Sequence, residues 1–218
     1  MPTGNDTLNL LERGWVFRLR LPQQKSPART VVMIHGWTGD ETSMEVFSRA
    51  LPQDSLIIYP RAPLPAHPSG FGWVEPREEI WPTMQRFEAV CQDLVSRLDS
   101  LLDEIGLPHS RRWNIAGFSQ GGAMCYALGY YFPGRLEKIA VLSGYFPEPD
   151  PQLPSPNLSG LSFFIAHGSR DETVPSEQAI RGLTWLKKAG ARVIFCESPV
   201  GHRVSTDCMK GFQGFLTP

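Results

Sequence analysis

Along residues 15–21, Trp15, Phe17, Leu19 and Leu21 alternate with Val16, Arg18 and Arg20. A period of two sends successive side chains to opposite faces, so the segment predicts a half-exposed strand at a sheet edge. Six more segments, 31–35, 56–59, 113–117, 138–143, 162–167 and 192–197, are mostly short continuous apolar runs rich in Val, Ile and Phe. Such runs predict parallel strands covered on both faces.

Between these runs the apolar period lengthens. From Pro82 to Gly106, Met84, Phe87, Val90, Leu94, Leu98, Leu101 or Leu102, and Ile105 recur three or four apart. That spacing predicts a helix with proline in its first turn and glycine closing its end. Shorter helices are predicted over about 42–51, 120–132, 176–189 and 203–216. Strand and helix alternate through most of the chain, which predicts an α/β fold with a mostly parallel sheet of about seven strands and helices on both faces. Ligand sites in such sheets form at the carboxyl ends of the strands. No repeat, charge block or shift in composition divides the chain, so residues 1–218 are expected to form one domain.

Composition narrows the function classes. Lysine and arginine number 21 against 22 acidic residues, a formal net charge of -1, so no basic excess points to nucleic acid or an anionic membrane. The longest apolar run, residues 123–128, falls far short of the roughly 20 residues that span a bilayer. Residues 1–11 carry neither a basic nor a long apolar leader region, which makes the cytoplasm the expected location. Cys91, Cys125, Cys196 and Cys208 match no zinc or redox spacing, so reduced, mostly buried thiols and no metal are expected. Eleven of the 20 prolines fall within 60–82 and 147–156, two loops that follow predicted strands.

The chemistry begins at Gly117-Phe118-Ser119-Gln120-Gly121, a G-x-S-x-G sequence between an apolar strand and a helix. That setting is a nucleophile elbow, in which a sharp turn exposes the serine and small flanking residues let strand and helix approach. A serine hydroxyl needs a base within hydrogen-bond reach. Of five histidines, His202 lies between the last strand and the last helix, on the sheet edge of Ser119. His35 and His167 end strands and are read as packed histidines bracing loops, while His67 and His109 sit in peripheral proline-flanked loops. The base needs a carboxylate to fix its tautomer, and Asp171 follows the sixth strand on the same edge, with Glu172 its nearest rival. Developing charge on a substrate carbonyl oxygen would be met by the backbone N–H groups of Gln120 and Trp37, in the loops after the nucleophile and after the second strand.

With these residues in place, the chain resembles the carboxylesterase/phospholipase branch of the α/β-hydrolases, which includes bacterial carboxylesterases and acyl-protein thioesterases. The resemblance rests on His35-Gly36, Pro60-Arg61-Ala62-Pro63, Trp73, residues 117–122, Leu142-Ser143-Gly144, residues 167–175 and Gly201-His202, in the family's order. It implies an α/β-hydrolase fold without a cap domain, no cofactor, a Ser119, Asp171 and His202 triad, and Trp37 and Gln120 as oxyanion donors. The chain departs from better-known members at the bulky Trp37 and in the loop 61–80.

The expected activity is cleavage of a small-molecule acyl ester through an acyl-enzyme on Ser119. Thioesters, lysophospholipids or acyl transfer would use the same intermediate, and a hydrolase fold kept as a binding module is the alternative of another class. Phe71, Trp73, Phe146 and Val174 follow strands on the carboxyl edge and are expected, with Trp37, to line an apolar acyl slot. The proline clusters are expected to be its stiff walls.

Overall fold

The computed structural model describes residues 7–12, 14–23, 27–49, 51–75, 81–106 and 112–217. Among the described residues, ten strands occur in chain order: β1 (Thr7–Glu12), β2 (Trp15–Arg20), β3 (Arg29–Ile34), β4 (Ser55–Pro60), β5 (Leu64–Pro65), β6 (Phe71–Gly72), β7 (Trp113–Phe118), β8 (Leu136–Leu142), β9 (Ser162–Gly168) and β10 (Arg192–Ser198). Eight of them form one sheet in the order β1-β2-β4-β3-β7-β8-β9-β10, and β5 and β6 form a separate two-stranded ribbon. All seven predicted strands are present, and the main sheet has one more.

The addition is β1, which pairs antiparallel with β2 from Thr7↔Arg20 to Glu12↔Trp15. It corrects the expectation for residues 15–21. The alternation of β2 is real, with Trp15, Phe17 and Leu19 buried, but β2 is an inner strand flanked by β1 and β4. An inner antiparallel strand and an edge strand show the same period of two, so the pattern reports a half-buried face and not the position in the sheet. From β4 to β10 every neighbouring pair is parallel.

Because successive strand residues face opposite ways, the parallel strands build two cores. Val32 and Ile34 of β3, Ile115 of β7 and Val141 of β8 pack on one face beneath α2 (Glu88–Glu104), α3 (Gln120–Tyr131) and α4 (Ser176–Lys188). Val31, Met33, Ala116 and Ala140 pack on the other, with Met44 and with Cys208, Phe212 and Leu216 of α5 (Thr206–Leu216). Residues Gln120 to Gly129 of α3 are all buried, as befits a helix that is apolar all round.

Three helices are shorter than their periodicity predicts, and one of them, α5, starts at Thr206 rather than at 203. The helix starting at Pro82 opens with a 3-10 turn, Met84–Phe87, and becomes α-helical at Glu88; Gly106, at φ +72°, ends it. The segment 42–51 holds only α1 (Glu45–Ser48). There the Asp40 carboxylate accepts the N–H groups of Thr42 and Ser43, an alternative to helical pairing, and Arg20 takes up the carbonyls of Ser48, Leu51 and Pro52.

One cysteine expectation is overturned. Cys91 and Cys125 are free and buried, and burial pushes both thiols up, so they stay protonated. Cys196 and Cys208 form a disulfide instead, since β10 and α5 bring their Cα atoms to 5.7 Å, ordinary bridging distance. Twelve residues of sequence hide that proximity.

Candidate active site

Ser119 follows β7 at the turn into α3, with φ 53° and ψ -116°. A non-glycine residue there is strained, and the surrounding packing holds it. A Cβ on Gly121 would lie 2.2 Å from the Ile34 carbonyl oxygen, so only glycine lets α3 pass this close to β3. Ser119 N–H donates to Leu142 O, which ties the elbow to β8.

Asp171 lies in the loop after β9, its side chain fully buried. One carboxylate oxygen accepts the N–H groups of Thr173 (2.9 Å) and Val174 (2.8 Å); the other accepts from His202 Nδ1 at 2.7 Å. The structure therefore brings Asp171 and His202 together from loops 31 residues apart in sequence. With Nδ1 engaged, Nε2 of His202 is the ring nitrogen left to exchange a proton. Glu172, the rival acid, is exposed. His202 and Ser119 line the same cleft of about 530 Å³, and the His202 ring rests 5.0 Å from that of Phe118.

His35 and His167 are buried. His167 Nε2 donates to Val174 O at 2.8 Å and stays 3.7 Å from Asp171. His35 Nε2 accepts the Ala62 N–H, so Nδ1 carries the proton and donates to Gly36 O at 2.7 Å. Burial, the largest influence on its ring, lowers the pKa and favours this neutral form. His67 is exposed, and His109 lies outside the described residues.

Trp37 stands in the loop after β3, its ring against Gly72, where a Cβ would come within 2.1 Å of the indole. Gln120 is the first residue of α3, so its N–H has no intrahelical acceptor. Trp37 lines the cleft that holds Ser119, and Gln120 is the next residue after Ser119 in the chain.

Apart from Trp37, the residues expected to line an acyl slot are not among those around this cleft. Among the described residues the cleft is walled by the loop 36–39, Met44, Phe47, Phe118 and Thr173, and by none of Phe71, Trp73, Phe146 and Val174. Trp73, Phe146 and Val174 are at most 5% exposed because their segments turn back into the core after leaving the strands. Trp73 donates its indole N–H to His35 O, Phe146 packs on Tyr126 and Trp185, and Val174 binds Asp171 and His167 through its backbone. Phe71 bridges to Gly39, and its ring meets the Arg61 guanidinium. The proline loops are displaced in the same way. Gly70 and Gly72 back the Trp37 loop from behind, and Glu148 and Pro154 accept hydrogen bonds from Met84 and Tyr130. Residues 76–80 lie outside the described residues. Met44 and Phe47 were missed; their spacing of three just after the Trp37 loop is the signal that points to them.

Residues 21–218 match the family described as phospholipase/carboxylesterase. The chain belongs to that family. It is therefore an esterase-type hydrolase. Among curated proteins, it is 30% identical to acyl-protein thioesterase 1 of Yarrowia lipolytica over 72% of this chain and 75% of that one. It is 31% identical to acyl-protein thioesterase 1 of Emericella nidulans over 78% and 80%. Among solved structures, a carboxylesterase from Mesorhizobium loti shares the fold with a TM-score of 0.82 at 21% identity, covering 96% of this chain and 98% of that one. The Bacillus cereus carboxylesterase gives 0.81 at 18%, covering 93% and 94%.

Proposed function

We propose that this phospholipase/carboxylesterase family member cleaves small-molecule carboxylic esters through an acyl-enzyme on Ser119. The observation that carries the reading is the buried Asp171 carboxylate 2.7 Å from Nδ1 of His202, whose ring lines the same cleft as the strained Ser119. Ser119 Oγ attacks the substrate carbonyl carbon while His202 Nε2 takes its proton. Asp171 holds the imidazole in the required tautomer and stabilises the imidazolium. The oxyanion accepts from the N–H groups of Trp37 and Gln120, a contribution worth about 2.7–4 kcal/mol per donor in such sites. The bond to the leaving group then breaks, and His202 returns its proton to the departing alkoxide. Water, deprotonated by the same nitrogen, attacks the acyl carbon and frees Ser119.

Trp37, Met44, Phe47 and Phe118 supply the apolar side of the cleft against which the acyl chain would lie. A thiolate leaving group requires no change in this machinery, and the relatives named acyl-protein thioesterase favour thioesters as the second reading. Matched ester and thioester substrates separate the two by kcat/KM. No helix of the described residues is long and apolar enough to cross a membrane. In the cytoplasm, the location the sequence suggests, cellular reductants could open the Cys196–Cys208 disulfide.

A fluorophosphonate probe tests the central assignment. Labelling of the wild type that disappears in Ser119→Ala is expected; a wild type that resists the probe would overturn it.

A further inference from the structure

Two donors that meet one oxyanion must keep their separation, yet Trp37 and Gln120 belong to different elements, the loop after β3 and the first turn of α3. A continuous set of buried hydrogen bonds joins them. The Gln120 carboxamide reaches away from its own backbone to the segment after β6, where Oε1 accepts the Trp73 N–H (2.8 Å) and Nε2 donates to Val74 O (2.9 Å). Trp73 in turn donates its indole N–H to His35 O at 2.7 Å. The His35 ring, held by the Ala62 N–H, donates to Gly36 O, which also accepts the Gly39 N–H.

That last carbonyl matters because a peptide unit is planar and trans. Fixing Gly36 O fixes the direction of the N–H on the other side of the same peptide, and that N–H is the one of Trp37. Gln120, Trp73 and His35 are at most 6% exposed, so water does not compete for these bonds. The Trp73 ring also lies 5.1 Å from that of His35 and 6.2 Å from that of Trp15, which leaves the indole little freedom to swing.

We propose that the side chains of Trp73 and Gln120 are positioning residues that set the spacing of the two oxyanion donors, a role that rests on the serine-hydrolase reading above. Neither side chain touches substrate. Each acts on the transition state through the backbone donors, and a displacement of about 1 Å at a reacting centre can cost on the order of a hundredfold in rate.

The test compares the full-length wild type with Trp73→Phe, which keeps the ring and removes its N–H, and with Gln120→Met, which keeps the length and removes both side-chain bonds. Three readouts are taken well below each melting temperature: kcat and KM for p-nitrophenyl butyrate, inhibition by an alkyl trifluoromethyl ketone, and fluorophosphonate labelling. The ketone adds Ser119 to its carbonyl and places an oxyanion between the two donors. In both variants kcat should fall by about 10- to 100-fold with KM within about twofold, and ketone affinity should fall by a similar factor. A purely structural role would lower the melting temperature and leave the kcat against KM split and ketone affinity of the folded protein untouched. Full kcat and full ketone affinity in either folded variant would overturn the proposal. Failure of the wild type itself to label would instead overturn the assignment of Ser119.

Discussion

Asp171 is the residue on which the proposed chemistry turns most sharply. Its carboxylate accepts two backbone N–H groups on one oxygen and His202 Nδ1 on the other, so it is locked in direction before it meets the imidazole. Asp171→Asn preserves shape, but an amide in that place favours the wrong histidine tautomer. We expect the variant to melt near the wild type and to lose about four orders of magnitude in kcat. Near-wild-type turnover would remove Asp171 from the mechanism. At this scale the sequence was legible for where these side chains sit, Ser119 at a strand-to-helix turn and Asp171 and His202 in loops that meet. It was illegible for the aromatics, because Trp73 and Phe146 have the same composition and loop setting whether they face a ligand or the core. Trp73 is absorbed by the partner its indole finds in the His35 carbonyl, which no spacing reveals.

The element that presents the proposed base is the loop between β10 and α5, and it is braced from several sides. The Cys196–Cys208 disulfide closes its two ends, Ser198 and Ser205 hydroxyls meet at 2.8 Å, and Ser205 caps α5 by accepting the Cys208 N–H. A cross-link over a loop this short stabilises by roughly 2–3 kcal/mol in the chain-entropy view. The Cys196→Ser, Cys208→Ser double variant should therefore melt about 5–10 °C lower. Its turnover should also fall, because His202 is held inside the closed loop. A dithiol reductant should reproduce both effects in the wild type and have none on the double variant. Equal melting and turnover in all four samples would show that the bond does not brace the loop. Periodicity identified the elements on either side, β10 and α5, and it could not see that they meet through two cysteines. β1 escaped for a related reason: Thr7 to Glu12 is a strand by virtue of its pairing with β2.

Across the whole molecule, the parallel strands bring to one edge loops that are far apart in the chain. β3 leads into the Trp37 loop, β7 into Ser119, β9 into the Asp171 loop and β10 into the His202 loop. Two cores, one on each face, hold those strand ends in register. Continuous apolar runs made this architecture readable, since a strand covered on both faces has little choice of composition. Which loops wall the cleft was not readable, because it depends on how each loop folds back after leaving its strand. These loops converge on a serine that we propose becomes acylated. Rapid quenching of the enzyme during turnover of p-nitrophenyl acetate, followed by intact-protein and peptide mass spectrometry, tests that proposal most directly. A burst approaching one p-nitrophenol per enzyme and an acetyl group on the peptide containing Ser119 are expected, both absent in Ser119→Ala. An acyl group on another residue, or unaltered turnover in Ser119→Ala, would contradict it.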